Sequence, residues 1–186
     1  MNVANRITLF RIFLVPLIVF FLLYSTKYYM HLIAAFIFLV ASLTDLIDGY
    51  IARYRNEVTN LGKLLDPIAD KLLTSSALIS LVDLQKIPAW IVVFLIGRDF
   101  CISGLRNIAA SQGIVIQASA IAKYKTVFEI CGILLLILSG TSSEELFYYL
   151  KVSGWAVIFL AASCAVISGV QYFSSFWDSI DLTSGN

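Results

Sequence analysis

A chain of 186 residues that is 60% hydrophobic and only 13% charged, with a mean hydropathy of +0.89, lacks the polar surface a soluble domain of this size needs. The length allows one domain, residues 1–186, with no room for a soluble appendage, and the composition places it in a bilayer as an all-α integral membrane protein. A net charge of +1 gives no basis for expecting a nucleic-acid partner.

Long apolar runs predict six membrane-spanning helices, at approximately residues 7–24, 30–53, 62–83, 88–110, 118–139 and 147–174, separated by short polar or helix-breaking loops. The first run reads as a retained span, because Arg11 interrupts it and no small-residue cleavage site follows Leu22, Leu23 and Tyr24. His31, the only histidine, reads as an interfacial residue in an outer loop. Cys101, Cys131 and Cys164 show no paired spacing and read as small helix-packing residues in a reduced setting. A cytoplasmic N-terminus puts ten of the thirteen Lys and Arg residues at or near the cytoplasmic side and leaves Lys27, Lys86 and Lys151 opposite. Both termini are therefore expected in the cytoplasm. Tyr28, Tyr29, Trp90, Tyr148, Tyr149 and Trp155 then form an aromatic belt at the outer interface.

The second and third spans carry the most specific pattern. Asp45, Asp48, Gly49 and Ala52 fall on one helical stripe, and Gly62, Asp66, Ala69 and Asp70 on another, so two carboxylates on each helix face one way beside small residues. The short connection makes the helices antiparallel neighbours whose acidic ends can meet at the cytoplasmic boundary. A carboxylate near the apolar region costs roughly 2.5 to 3.5 kcal/mol on insertion scales, so four of them demand compensating positive charge. Pairing with Arg53, Arg55, Lys63 or Lys71 would account for one carboxylate better than for four. Clustered carboxylate oxygens suit hard divalent cations, Mg²⁺ or Mn²⁺, and a pair of such ions is a common device for phosphoryl chemistry. Gly49, Ala52 and Gly62 leave room for a bulky ligand near the backbone.

The run Asp45-x-x-Asp48-Gly49-x-x-Ala52-Arg53, eight intervening residues, then Gly62-x-x-x-Asp66-x-x-x-Asp70 resembles the signature of the CDP-alcohol phosphotransferase family. The resemblance implies six spans in a homodimer and two divalent cations bound by Asp45, Asp48, Asp66 and Asp70. It also implies a CDP moiety cradled by Gly49, Ala52, Arg53 and Gly62, with Asp70 as general base. Thr8, with Asn5 and Arg11, is placed near the nucleotide by the same resemblance, although Asn5 reads equally well as an N-cap.

Beyond the signature the chain is similar to the phosphatidylglycerophosphate synthase branch, through Arg98-Asp99-x-x-x-Ser103-x-Leu105-Arg106 and Lys123-x-Lys125-Thr126, with Asp99 and Ala122 where that branch usually has Glu and Gly. Asp99, Ser103 and Arg106 share one helical face, with Asp99 placed to hold a basic partner, and Glu129 is spaced to pair with Lys125. Lys123 and Lys125 diverge by about 200° on an ideal helix. Positive-inside topology explains those two lysines well, but Arg98, deep in a span, poorly. Arg106, Lys123, Lys125 and Arg98 are thus candidates for binding an acceptor phosphate. With CDP-diacylglycerol as the donor that the resemblance implies, this favours sn-glycerol 3-phosphate as acceptor over serine or choline-type acceptors, with inositol phosphate still open. A divalent-cation transporter, the reading from another class, fits less well, because no acidic residue continues a path across the membrane from the four Asp residues.

Overall fold

The computed structural model describes residues 3–24, 27–55, 60–111, 119–141 and 144–184, and their side chains except at 3–5, 45–64, 66, 141, 144, 175 and 178–184. Among the described residues the fold is entirely helical: α1 (Val3–Leu23), α2 (Tyr28–Arg55), α3 (Asn60–Asp83), α4 (Ala89–Ser111), α5 (Ala120–Leu138), a 3₁₀ turn (Ser139–Thr141) and α6 (Glu144–Ser184). Each of the six expected spans corresponds to one helix. Among the described residues, two stretches are long and apolar enough to cross a membrane, Arg6–Leu23 in α1 and Glu145–Ser174 in α6. In α3, α4 and α5 the apolar runs are interrupted by charge, at Asp66, Asp70 and Lys71, at Arg98, Asp99 and Arg106, and at Lys123, Lys125 and Glu129. Large apolar side chains nevertheless point outward from every helix, among them Phe13, Phe36, Ile79, Val93, Val127 and Val170, a surface suited to an apolar surrounding rather than to water.

Leu14, Phe38, Leu78, Leu95, Ile133 and Ile158 meet in the shared core. Helices α5 and α6 approach closely: a Cβ at Gly132 would lie 2.7 Å from the Ile158 side chain and 3.2 Å from its backbone nitrogen, and one at Gly154 would lie 2.9 Å from Leu136. Small residues at such a crossing let the helices pack backbone to backbone. Gly132→Val should therefore lower the thermal unfolding midpoint of the detergent-solubilised protein, at a cost of about 1 to 3 kcal/mol from overpacking. Gly97→Val, where nothing lies within 4 Å of the added Cβ, should leave the midpoint nearly unchanged.

One end of the bundle is closed by a clasp centred on Lys86. Helix α3 ends with Gln85 at φ 54° and the Lys86 N–H bonded to the Leu81 carbonyl at 2.9 Å, a left-handed termination that turns Lys86 inward. Its ammonium donates to the last carbonyls of α5, Leu136 at 3.0 Å and Ile137 at 3.4 Å, while its own carbonyl accepts from Trp155 Nε1 at 2.9 Å. A cation is well placed at a helix C-terminus. Burial first, and the Lys151 charge second, lower its pKa to about 8.

Two expectations change here. His31 is not in a loop: α2 begins at Tyr28, so His31 lies in its first turns, buried with its ring against Gly140. Cys101 and Cys131 are exposed and Cys164 is half-exposed, so these free thiols lie toward the outer surface instead of packing between helices. The charged groups of α4 and α5 take the inward positions around a polar cavity, which leaves apolar side chains and thiols to face outward.

Candidate active site

At the end opposite the clasp, four helices surround a cavity of about 230 Å³. Helix α3 supplies Asp70 and Lys71, α4 supplies Arg98, Asp99, Ser103 and Arg106, α5 supplies Ala122, Lys123 and Thr126, and α6 supplies Tyr172. Local structure fixes these positions. Pro67 starts the turn of α3 that leads to Asp70 and removes one backbone donor there. Ser119 caps α5 by accepting from the Ala122 N–H at 3.3 Å, which sets the first turn and with it Lys123 and Thr126.

The wall behind the cavity is a charge network linking α4, α5 and α6. Asp99 accepts from Arg98 at 3.0 Å and from Lys125 at 2.5 Å, and Lys125 also donates to Glu129 at 2.7 Å. The second Arg98 terminal nitrogen donates to Ser168 Oγ at 2.6 Å, and Ser168 in turn donates to the Cys164 carbonyl at 2.6 Å. Both members of the Lys125–Glu129 pair are buried, a setting in which charge is tolerated only when hydrogen-bonded and matched. Two cations and two carboxylates cancel. Arg98 Nε is buried without a hydrogen bond.

With that set neutral, the remaining lining charges among the described residues are Asp70 against Lys71, Arg106 and Lys123, a balance of three positive to one negative. Lys71 is steered by the Phe100 ring, whose centroid lies 5.2 Å from its ammonium, and lies within electrostatic reach of Asp70, Asp99 and Arg106. Arg106 and Lys123 are exposed to the cavity mouth and form no ion pair with a described residue.

The structure thus brings together Asp70, Arg98, Arg106 and Lys123 of the sequence candidates. Lys125 points away from Lys123, as two-residue spacing on a helix requires, and lies buried between Asp99 and Glu129 rather than in the cavity wall. The pairings anticipated for Asp99 and Glu129 are present. Thr8 and Arg11 are fully buried in α1. Asp45, Asp48, Gly49, Ala52 and Arg53 occupy the second half of α2, and Gly62 and Asp66 the start of α3, while their side chains lie outside the described residues. Tyr172 went unread in the sequence because an aromatic in an apolar run resembles a lipid-facing residue. The available signal was its place on the same stripe of α6 as the buried Ala161, Ala165 and Ser168.

Comparison with known proteins bears directly on this arrangement. A family profile described as CDP-alcohol phosphatidyltransferase matches residues 1–168. A Bacillus subtilis (strain 168) protein named CDP-diacylglycerol--glycerol-3-phosphate 3-phosphatidyltransferase is 39% identical over 191 residues, covering 96% of this chain and 97% of the relative. Proteins of the same name from Rickettsia bellii and Wigglesworthia glossinidia brevipalpis are 36% and 32% identical, each covering at least 94% of both chains.

Proposed function

Because the chain belongs to the CDP-alcohol phosphatidyltransferase family, we propose that it transfers the phosphatidyl group of CDP-diacylglycerol to sn-glycerol 3-phosphate, releasing CMP. The observation that carries this reading is one small chamber in which the Asp70 carboxylate shares a wall with Arg106 and Lys123. A volume of about 230 Å³ lies below the range for drug-sized ligands and suits a small polar acceptor better than a lipid. A surplus of two positive charges among the described lining residues complements a dianionic phosphate monoester, a match that serine would not use.

In the proposed reaction the acceptor hydroxyl oxygen bonds to the phosphorus that carries the diacylglycerol, and the anhydride bond to the cytidylyl phosphate breaks. The electron pair leaves with CMP, and the hydroxyl proton passes to the Asp70 carboxylate. Arg106 and Lys123, with Arg98 held from behind by Asp99 and Ser168, anchor the acceptor phosphate and hold the hydroxyl toward Asp70. Lys125 enters this reading as the support of Asp99.

Asp45, Asp48, Asp66 and Asp70 are a donor set of hard oxygens suited to two Mg²⁺ or Mn²⁺ ions, and they lie on the touching helices α2 and α3. Bound there, the ions would supply charge neutralisation at the diphosphate. Gly49, Ala52, Arg53, Gly62 and Thr8 complete the proposed nucleotide site. The six helices are read as six spans in a cytoplasmic membrane, with both termini and the cavity facing the cytoplasm and the protein a homodimer. The test is direct: give the purified protein CDP-diacylglycerol, Mg²⁺ and each acceptor in turn, then identify the lipid. Phosphatidylglycerophosphate and stoichiometric CMP are expected. A serine or inositol-phosphate product would replace the acceptor, and absence of CMP under all conditions would favour ion transport.

A further inference from the structure

The cavity wall carries two hydroxyls that the charge balance leaves unused. Most helical serines and threonines here return their hydroxyl to the carbonyl three or four residues earlier, as Ser42, Thr44, Ser80 and Ser163 do. Thr126 of the cavity does the same, donating to the Ala122 carbonyl at 3.3 Å. Ser103 on α4 and Tyr172 on α6 form no hydrogen bond with a described residue, although both line the cavity. Neither oxygen is among the fully buried polar atoms without partners, so each keeps some accessible surface, and both residues line the cavity. The Tyr172 ring is otherwise only 5% exposed, and Ser168, one turn earlier, is tied to Arg98. The phenol is therefore held in place, and a fixed polar group is one whose hydrogen bond can discriminate between ligands.

We infer that Ser103 and Tyr172 are specificity-determining residues that hydrogen-bond the second, non-attacking hydroxyl of a phosphorylated polyol acceptor. This rests on the proposed transfer reaction. An acceptor of the proposed class presents three features: a phosphate, a nucleophilic hydroxyl and one hydroxyl that does not react. Arg106 and Lys123 answer the first and Asp70 the second, while the neutral donor-acceptor pair from α4 and α6 answers the third. Sites that bond a substrate hydroxyl reject analogues lacking it, since the polar groups that the bound acceptor shields from water are then left unsatisfied.

The experiment compares sn-glycerol 3-phosphate with 3-hydroxypropyl phosphate, which keeps the primary hydroxyl and the phosphate but lacks the middle hydroxyl. Wild-type protein with CDP-diacylglycerol and Mg²⁺ should prefer the first acceptor in kcat/KM. Tyr172→Phe and Ser103→Ala should each reduce that preference by about three- to tenfold, the size of a neutral hydrogen bond, by losing activity on glycerol 3-phosphate alone. Equal losses on both acceptors would assign the residues to packing and overturn the inference, as would a wild type indifferent to the missing hydroxyl. A wild type that forms no product from glycerol 3-phosphate but uses another acceptor defeats the acceptor reading itself, and this inference with it.

Discussion

Replacing Asp70 by Asn is expected to abolish transfer while leaving the protein folded. Asparagine keeps the shape of the side chain but has no carboxylate to take the acceptor proton. Loss of a general base typically costs about 10² to 10⁴ in rate. Asp70 lies half-buried at the cavity wall on a helix whose neighbouring core residues, Ala69 and Leu73, are undisturbed by an isosteric change. The variant should still bind CDP-diacylglycerol when metal is supplied, and Asp66→Asn should be similarly inactive. Single-turnover CMP release in detergent, alongside a thermal unfolding curve, checks both parts. A soluble, well-folded Asp70→Asn protein that kept more than a few per cent of wild-type turnover would remove Asp70 from the role of base.

Arg106→Gln should raise the KM for glycerol 3-phosphate by about one to two decades, the equivalent of one charge-assisted phosphate contact. Glutamine preserves reach and polarity but cannot offer a charged bidentate fork. Because Arg106 forms no ion pair with a described residue and sits at the cavity mouth, its removal strands no buried carboxylate there. The KM for CDP-diacylglycerol should stay within about twofold, since that substrate is assigned to α2 and α3. Steady-state kinetics with each substrate varied in turn decides the matter: parallel weakening of both would indicate a packing defect, and no change would move the phosphate site toward Lys123.

The number and order of helices were legible because apolar run length and polar breaks govern both a span and its ends. The boundaries were less so at α6, where apolarity fades near residue 174 but the helix continues to Ser184. Backbone hydrogen bonds are indifferent to the polarity of the side chains outside them. Asp70, Arg98 and Arg106 could be singled out as candidates because charge inside an apolar helix demands a reason, whereas topology alone explains Lys123 well. Which cations face the cavity could not be read from spacing alone. Helical angle separates Lys123 from Lys125, but only the packing of α4 on α6 and of α5 on its neighbours shows that Lys125 turns inward to Asp99 and Glu129. His31 was misjudged for a related reason: residue type predicts average exposure, and its ring is buried against Gly140, remote in sequence.

The balanced network of Arg98, Asp99, Lys125 and Glu129 has a consequence for how this wall can change over generations. Every single charge removal leaves an odd charge among groups that share partners: without Asp99 two cations lose their common acceptor, and without Lys125 two carboxylates face each other. Paired replacement, such as Lys125→Met with Glu129→Leu, removes a cation and an anion together and should cost less than the sum of the single changes. The four positions are therefore epistatic, each constraining what the others tolerate. A lineage drifting through this wall would have to exchange its members in matched sets, so covariation among these positions, rather than invariance at any one, is the record such a wall leaves.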